Sequence, residues 1–238
     1  MEIVVLLLLT MAIPFPLCYF RMKEYDISLP KMLLIYLVFS TVGFIGAWFG
    51  PALVGIEDSG IRLYGLVLFD LMALFVMSMV LRIDMRILGD FVAPPIMAVC
   101  ACSKINCMIH NCCRGIVMWH NGEQSILFPS AIVELIIWAV FVVALLMVER
   151  KKTADGFMWP QLMIWFGITR CLVDFLRGSV WERRPYFMFL SGGQFWSLVA
   201  AVAGVLLMIY TFHKNWKRFP TMAEAFFIAL GGKTGKSV

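Results

Sequence analysis

Seven apolar runs, each long enough to cross about 30 Å of hydrocarbon, constrain this chain before any other feature does. They fall at roughly residues 2–20, 31–50, 62–82, 90–109, 130–148, 157–176 and 193–212. Inside a bilayer every backbone N–H and C=O must be satisfied within the segment, so runs of this length read as helices. With 62% of 238 residues hydrophobic and only 15% charged, a soluble globular domain and a disordered chain are both excluded. The expected fold class is an all-α polytopic membrane protein of about seven transmembrane helices. One integral-membrane domain covers 1–218, and 219–238 form a short cytoplasmic tail. The first run, MEIVVLLLLTMAIPFPLCYF, has Glu2 in place of a basic leader and no small-x-small cleavage site. It reads as a span, not as a cleaved signal.

The loop charges set an orientation. Arg21, Lys23 and Lys31 flank the first turnaround, Glu57 and Asp58 occupy the second, and Arg82 and Arg86 the third. The fifth run ends in Glu149, Arg150, Lys151 and Lys152, and the last is followed by His213, Lys214, Lys217 and Arg218. Positive loops alternate with weakly charged ones, which places the N-terminus outside and the C-terminus in the cytoplasm. The loop after the sixth run is external on this plan, yet it carries Arg177, Arg183 and Arg184. Anionic lipid head groups are the natural partner for cations there. The net charge of +5 is spread between apolar runs and implies no nucleic-acid partner. Seven cysteines, an odd number mostly within or beside apolar runs, do not make a secreted disulfide framework.

Chemistry concentrates in residues 90–115, DFVAPPIMAVCACSKINCMIHNCCRG. The stretch begins apolar and ends with Lys104, Asn106, Cys107, His110, Asn111, Cys112, Cys113 and Arg114. Pro94, Pro95 and the late polar residues predict an interrupted helix, of the kind tolerated where backbone lines a cavity or is buried in protein. Polar groups at membrane depth are costly unless paired or wet, so the cluster as a unit reads as a site. Cys112-Cys113 is compatible with a strained disulfide, a nucleophile with its neighbour, or two small residues packing at a turn. Nearby Lys104, His110 and Arg114 are placed to lower a thiol pKa. No paired CxxC is present and His110 lies too close to Cys112 for a zinc signature, so neither a metal nor a cofactor is expected.

In GFMWPQLMIWFGITRCLVDFLRG, residues Arg170, Asp174 and Arg177 are spaced i, i+4, i+7 and share a helical face. One reading is a phosphate-binding Arg pair with Asp174 holding one guanidinium, since the Arg fork donates two parallel hydrogen bonds to phosphate. The other is an internal ion pair that fixes packing, with Arg177 reaching to the interface and one cation left unpaired. Asp70 and Glu134 are candidate proton acceptors or counter-ions, with Glu134 favoured because it follows FPS at the cationic end. Tyr64 is an interfacial anchor or a phosphate donor. His120 and His213 read as solvated or interfacial. GAWFG at 46–50 is a GxxxG helix contact.

The order DFVAPPI, KINCMIHNCCRG, FPSAIVE, GITRCLVDFLRG, SGGQFWSL resembles the prolipoprotein diacylglyceryl transferase family over roughly residues 60–210. The family signature is close to G-R-x-G-N-F-x-N-x-E-x-x-G. Lys104 stands at its Arg, Asn106 at its Gly, Cys107 at its Asn and Cys112 at its Glu, and Gly115 closes it. Pro129, Ser130, Glu134, Arg170, Arg177, Gly193 and Gln194 match further family positions, with Asp174 as a conservative acidic partner. The family's His-Gly-Gly appears as Tyr64-Gly65-Leu66, without its His. The resemblance implies transfer of the diacylglyceryl group of phosphatidylglycerol to a lipobox cysteine thiol, with release of glycerol phosphate. It places the reaction at the outer face of the bacterial inner membrane, with phosphatidylglycerol and a prolipoprotein or other thiol-bearing acceptor as partners. Lys104, Glu134, Arg170, Asp174 and Tyr64 are then the expected catalytic residues. Arg177, Arg114, Asn106, Asn111, Gly115 and Gln194 are expected to bind lipid, and Cys107, Cys112 and Cys113 are the candidate reactive thiols. Two rival readings remain. One is a non-catalytic anionic-phospholipid-binding protein on the same fold, and the other a membrane thiol-redox protein using Cys112 and Cys113.

Overall fold

The computed structural model describes residues 12–54, 61–110, 113, 115–121, 124–150, 155–177 and 188–214. In chain order these form α1 (Pro14–Arg21), α2 (Leu29–Val54), α3 (Ile61–Leu81), α4 (Met85–His110), β1 (Val117–Asn121), β2 (Gln124–Leu127), α5 (Ser130–Glu149), α6 (Met158–Asp174) and α7 (Gly192–Lys214). Among the described residues, α2, α4, α5 and α7 are long and apolar enough to cross a membrane, and Gly65–Leu81 of α3 is a shorter apolar stretch. The helical membrane character read from the apolar runs is therefore present. Of the first run only its end, α1, is described, and the tail at 219–238 lies outside the described residues.

Helix α4 is the centre. Every residue from Leu88 to Ala98 is buried, and α4 packs on α1, α3, α5 and α6. Leu88, Phe91 and Met97 from α4 meet Trp138, Leu162 and Phe166 from α5 and α6 in one apolar core. Outward faces carry Leu37, Phe44, Phe75, Val140, Leu172 and Leu206, all exposed, as a lipid-facing surface requires. Helices α2 and α3 pair closely, and so do α6 and α7. At Gly46, in the expected GxxxG contact, an added Cβ would run into the Gly65 carbonyl and Phe69. At Gly167 it would meet the Ser197 carbonyl and Ala201, which sets how closely α7 approaches the helix that carries the two arginines.

The fourth apolar run departs from expectation, because α4 is one continuous helix through Pro94 and Pro95. Proline lacks the N–H that would bond four residues back, which releases the carbonyls of Asp90 and Phe91. Those two carbonyls accept hydrogen bonds from Arg21, at 2.8 Å from Nη2 to Asp90 O and from Nη1 to Phe91 O. An arginine 69 and 70 residues away in sequence thus replaces the missing amides. The same guanidinium pairs with Glu149 at the end of α5, with Nε 2.7 Å from Oε2. The Tyr25 hydroxyl donates to Glu149 as well. The Asp90 carboxylate, on the same turn, accepts from the amides of Gly156 at 2.8 Å and Met158 at 2.7 Å, capping the start of α6. This end of the bundle is clamped by charge.

Between α4 and α5 the structure holds an antiparallel hairpin, a feature the helical sequence reading does not contain. Val117 pairs with Leu127, His120 with Ser125 and Asn121 with Gln124, with an irregularity between Val117 and Trp119. Its apolar side chains Val117, Met118, Trp119 and Ile126 stay exposed.

Arg21 and Glu149 are both buried, so removing one leaves the other uncompensated. Glu149→Ala is expected to lower stability by about 3–5 kcal/mol, and Arg21→Met combined with Glu149→Leu to recover much of the loss. Thermal unfolding in detergent, followed by circular dichroism, checks both.

Candidate active site

The opposite end of the bundle gathers charge from three helices. Lys104 comes from the last turns of α4, Glu134 from the second turn of α5, Arg170 and Asp174 from the end of α6, and Arg177 from just beyond it. Glu134 is 0% exposed, and its carboxylate receives three cations. Arg170 Nη1 donates to Oε1 at 2.7 Å, Arg177 Nη2 to Oε2 at 3.3 Å, and Lys104 Nζ pairs with Oε2. Asp174 supplies the second negative charge, with Oδ1 3.5 Å from Arg170 Nη2 and 3.4 Å from Arg177 Nη1. Lys104 Nζ also lies 4.9 Å from the centre of the buried Trp138 ring, a cation–π contact. The Trp138 indole N–H is anchored by Thr169 Oγ1 at 3.1 Å.

Asp174 is itself oriented. Ser191 Oγ donates to its Oδ2 at 3.0 Å, while accepting from the Gln194 amide at 3.1 Å. Gln194 Oε1 accepts in turn from the Ser191 amide at 2.9 Å. This is a capping box that starts α7 and aims its hydroxyl at the acidic residue of α6. SGGQ spells the pattern, so Ser191 is a site residue legible in the sequence but not among those expected from it.

A loop closes over the cluster. Ile116 N donates to Leu176 O at 2.9 Å, Gly115 pairs with Arg177, and Phe128 N donates to Ile116 O at 2.9 Å. A Cβ at Gly115 would overlap the Phe128 carbonyl, so only glycine lets the two loop strands approach. Ser130 Oγ donates to Cys113 O at 2.6 Å, which places the Cys113 thiol against the cations. Arg177 Nη2 donates to Cys113 Sγ at 3.0 Å. A hydrogen bond from Cys107, opposed by burial and reinforced by Arg177, Lys104 and Arg170, holds the Cys113 thiol down at about 5. A thiol beside several cations is a thiolate at neutral pH.

The structure brings together Lys104, Glu134, Arg170, Asp174, Arg177, Cys107, Cys113, Gly115 and Gln194. Asn111, Cys112, Arg114 and the side chains of Tyr64, Asn106 and His110 lie outside the described residues. Asp70 belongs elsewhere: it is buried on α3 and lines an apolar cavity of about 240 Å³ with Tyr36, Phe39 and Ile96. Arg177 is not a lone cation reaching to the interface. It is buried and bonded to Glu134, Asp174 and Cys113, because the two carboxylates lie within reach on both sides. Its Nε and the Gln194 amide nitrogen have no hydrogen-bond partner among the described residues.

The buried cluster thus holds three cations against two carboxylates. The family model for prolipoprotein diacylglyceryl transferase matches residues 5–210. The chain belongs to that family. The match extends well upstream of the residues that carry the sequence resemblance, into the first apolar run. A phosphatidylglycerol–prolipoprotein diacylglyceryl transferase of Clostridium tetani is 24% identical over 168 residues, 66% of this chain and 66% of the relative. The chain thus matches just under two thirds of that relative's length. In this member of the diacylglyceryl transferase family, the basic residue at the end of α4 is Lys104, whose single ammonium shares Oε2 of Glu134 with Arg177.

Glu134→Ala leaves three buried cations facing one another. It is expected to destabilise by about 3–5 kcal/mol, more than Glu134→Gln, as read from the unfolding midpoint in detergent. Iodoacetamide alkylation of Cys113, resolved by tandem mass spectrometry, is expected to fall off on acidification with a midpoint at about 5. The sign follows from thiolate being the reacting form, so the rate is flat above the midpoint and lost below it. An ordinary thiol titrates near about 8.5.

Proposed function

We propose that the chain transfers the diacylglyceryl group of phosphatidylglycerol to a cysteine thiol of a prolipoprotein or similar acceptor. The observation that carries this reading is the convergence of Lys104, Arg170 and Arg177 on one buried carboxylate at one end of the bundle. Three cations held together by two carboxylates form a preorganised anion site. The head-group phosphate adds to Arg177 and Arg170, and the acceptor thiolate attacks the terminal glycerol carbon of the diacylglyceryl group. The carbon–oxygen bond to phosphate breaks as the carbon–sulfur bond forms. Glycerol phosphate leaves with the electron pair, its growing charge stabilised by the cations. The thiol proton passes to water or to the leaving group. Asp174, held by Ser191, orients both guanidinium groups, and Glu134 fixes the spacing of all three cations instead of serving as the base.

In this reading the chain is one membrane domain of seven spans in a bacterial inner membrane, N-terminus outside and C-terminus in the cytoplasm. The cluster then lies at the outer face, where a secreted acceptor arrives. The exposed hairpin apolar side chains Met118 and Trp119 rest in the same interface.

The test is glycerol phosphate release by purified protein in micelles of phosphatidylglycerol with a lipobox peptide. Release is expected in the wild type, and Arg170→Ala is expected to lower it by about 10²–10³-fold, as removing one preorganised charge donor does. Undiminished release in Arg170→Ala overturns the reading. Saturable phosphatidylglycerol binding without release assigns the fold to lipid binding alone.

A further inference from the structure

The charged cluster leaves one buried acid out. Asp70 is the tenth of the 21 residues of α3, which at 1.5 Å per residue sets it about 14 Å from the helix start, near the middle of the hydrocarbon layer. It is only 3% exposed, and its Oδ1 has no hydrogen-bond partner among the described residues. An ionisable group at that depth is costly unless something pairs it. A proton on the acid does not satisfy it, because the new O–H then needs an acceptor of its own.

The carboxyl group lines the cavity of about 240 Å³ enclosed by α1, α2, α3 and α4. Gly43 of α2 makes room for it, since a Cβ there would stand 2.9 Å from Oδ1 and 3.2 Å from Oδ2. Tyr36, Phe39 and Phe44 supply aromatic wall, and Ser40 and Ser103 supply hydroxyl groups. Ser103 Oγ already donates its proton to the Cys100 carbonyl at 2.7 Å, so it faces a ligand as an acceptor. Among the described residues, no lysine, arginine or histidine lines the cavity. The fold therefore provides Asp70 with a chamber and with no counter-ion.

We propose that this cavity binds a lipophilic primary amine, whose ammonium group pairs with Asp70 while its apolar body fills the space between the helices. The unpartnered oxygen is an acceptor, so the ligand must donate to it. Aromatic walls attract a cation and have no such preference for a neutral hydroxyl. An ammonium carries three N–H donors and no lone pair, which matches a wall offering Asp70 Oδ1 and the hydroxyl oxygens of Ser40 and Ser103.

Size and depth narrow the ligand further. A cavity of about 150 Å³ holds benzene, so the larger volume here admits one ring with a short alkyl chain. A further transmembrane helix, about 10 Å across, does not fit. Phe44 is exposed and Ser40 half-buried on the same wall, which opens the cavity toward the lipid-facing surface. A ligand entering there arrives through hydrocarbon and must bring an apolar body of its own. The site stands apart from the transfer reading, because Asp70 touches none of the residues of the charged cluster.

The experiment uses the full chain in phosphatidylcholine nanodiscs at pH 7, with empty nanodiscs subtracted. The probes are tritiated 3-phenylpropylamine, which is an ammonium at this pH, and tritiated 3-phenylpropan-1-ol, which has the same shape without the charge. The amine is expected to bind saturably at one site per chain, about tenfold or more tighter than the alcohol, the weight of one charged hydrogen bond. Asp70→Asn keeps the shape of the side chain and is expected to weaken the amine by the same factor. Alcohol binding should then stay within about twofold of wild type, which shows that the cavity of the variant is still folded. The wild-type comparison of the two probes stands by itself should the variant not fold. No saturable amine binding, an alcohol that binds as tightly as the amine, or an amine affinity unchanged in Asp70→Asn each overturns the proposal. Glycerol phosphate release is measured on the same preparations, and its absence sinks the transfer reading without touching this one.

Discussion

The carboxylate of Glu134 is the interaction on which the rest of the site depends. Three cations from two helices lie close together in a region from which water is largely excluded, and without a shared anion they would force α4 and α6 apart. Each charge taken from water costs several kcal/mol unless geometry and hydrogen bonds offset it. Glu134 meets that condition with both oxygens, and Asp174 meets it again from the side of α6. Apolar residues of the same volume would hold these helix ends together at least as well. A cluster that stability does not require is best understood through what it binds, and three cations against two carboxylates fit the proposed phosphate site.

The same helices are clamped at their far ends by a second buried pair. α4 offers the carbonyls of Asp90 and Phe91 to Arg21 at one end and Lys104 to Glu134 at the other. α5 begins near one carboxylate, Glu134, and finishes on another, Glu149. Between the clamps, Phe91, Met97, Trp138, Leu162 and Phe166 pack as an apolar core. A site built between helices fixed at both ends has little freedom to relax, which is what preorganised stabilisation of a charged leaving group demands.

Much of this was legible in the residues. The spacing of Arg170, Asp174 and Arg177 put them on one face, and the position of Glu134 after FPS put it at the cationic end. Spacing within one helix says nothing about which carboxylate a cation meets on another, so Arg177 reads as unpaired in sequence and is doubly paired in the fold. Pro94 and Pro95 mislead for a related reason. The local rule counts the lost amides correctly, but Arg21 restores the bonds from the end of α1, far away in sequence. Ser191 was readable as the first residue of a capping box, though not its second bond to Asp174. The hairpin has the weakest signal of all, two short strands with a register irregularity and no alternating pattern strong enough to stand against apolar neighbours.

Hydrophobic length and helical period act within about twenty residues, and so the chain by itself determined that these segments are membrane helices and which side chains share a face. Pairing across helices depends on crossing angles, glycine contacts such as Gly167 on Ser197, and loops that end where a neighbour begins. Those are properties of the assembled bundle. The tertiary structure alone decided that Lys104, Arg170 and Arg177 converge on one carboxylate, that Cys113 lies against Arg177, and that Asp70 stands apart from all of them. The physical reason is that a buried charge is stable only where the fold, not its own segment, supplies the partner.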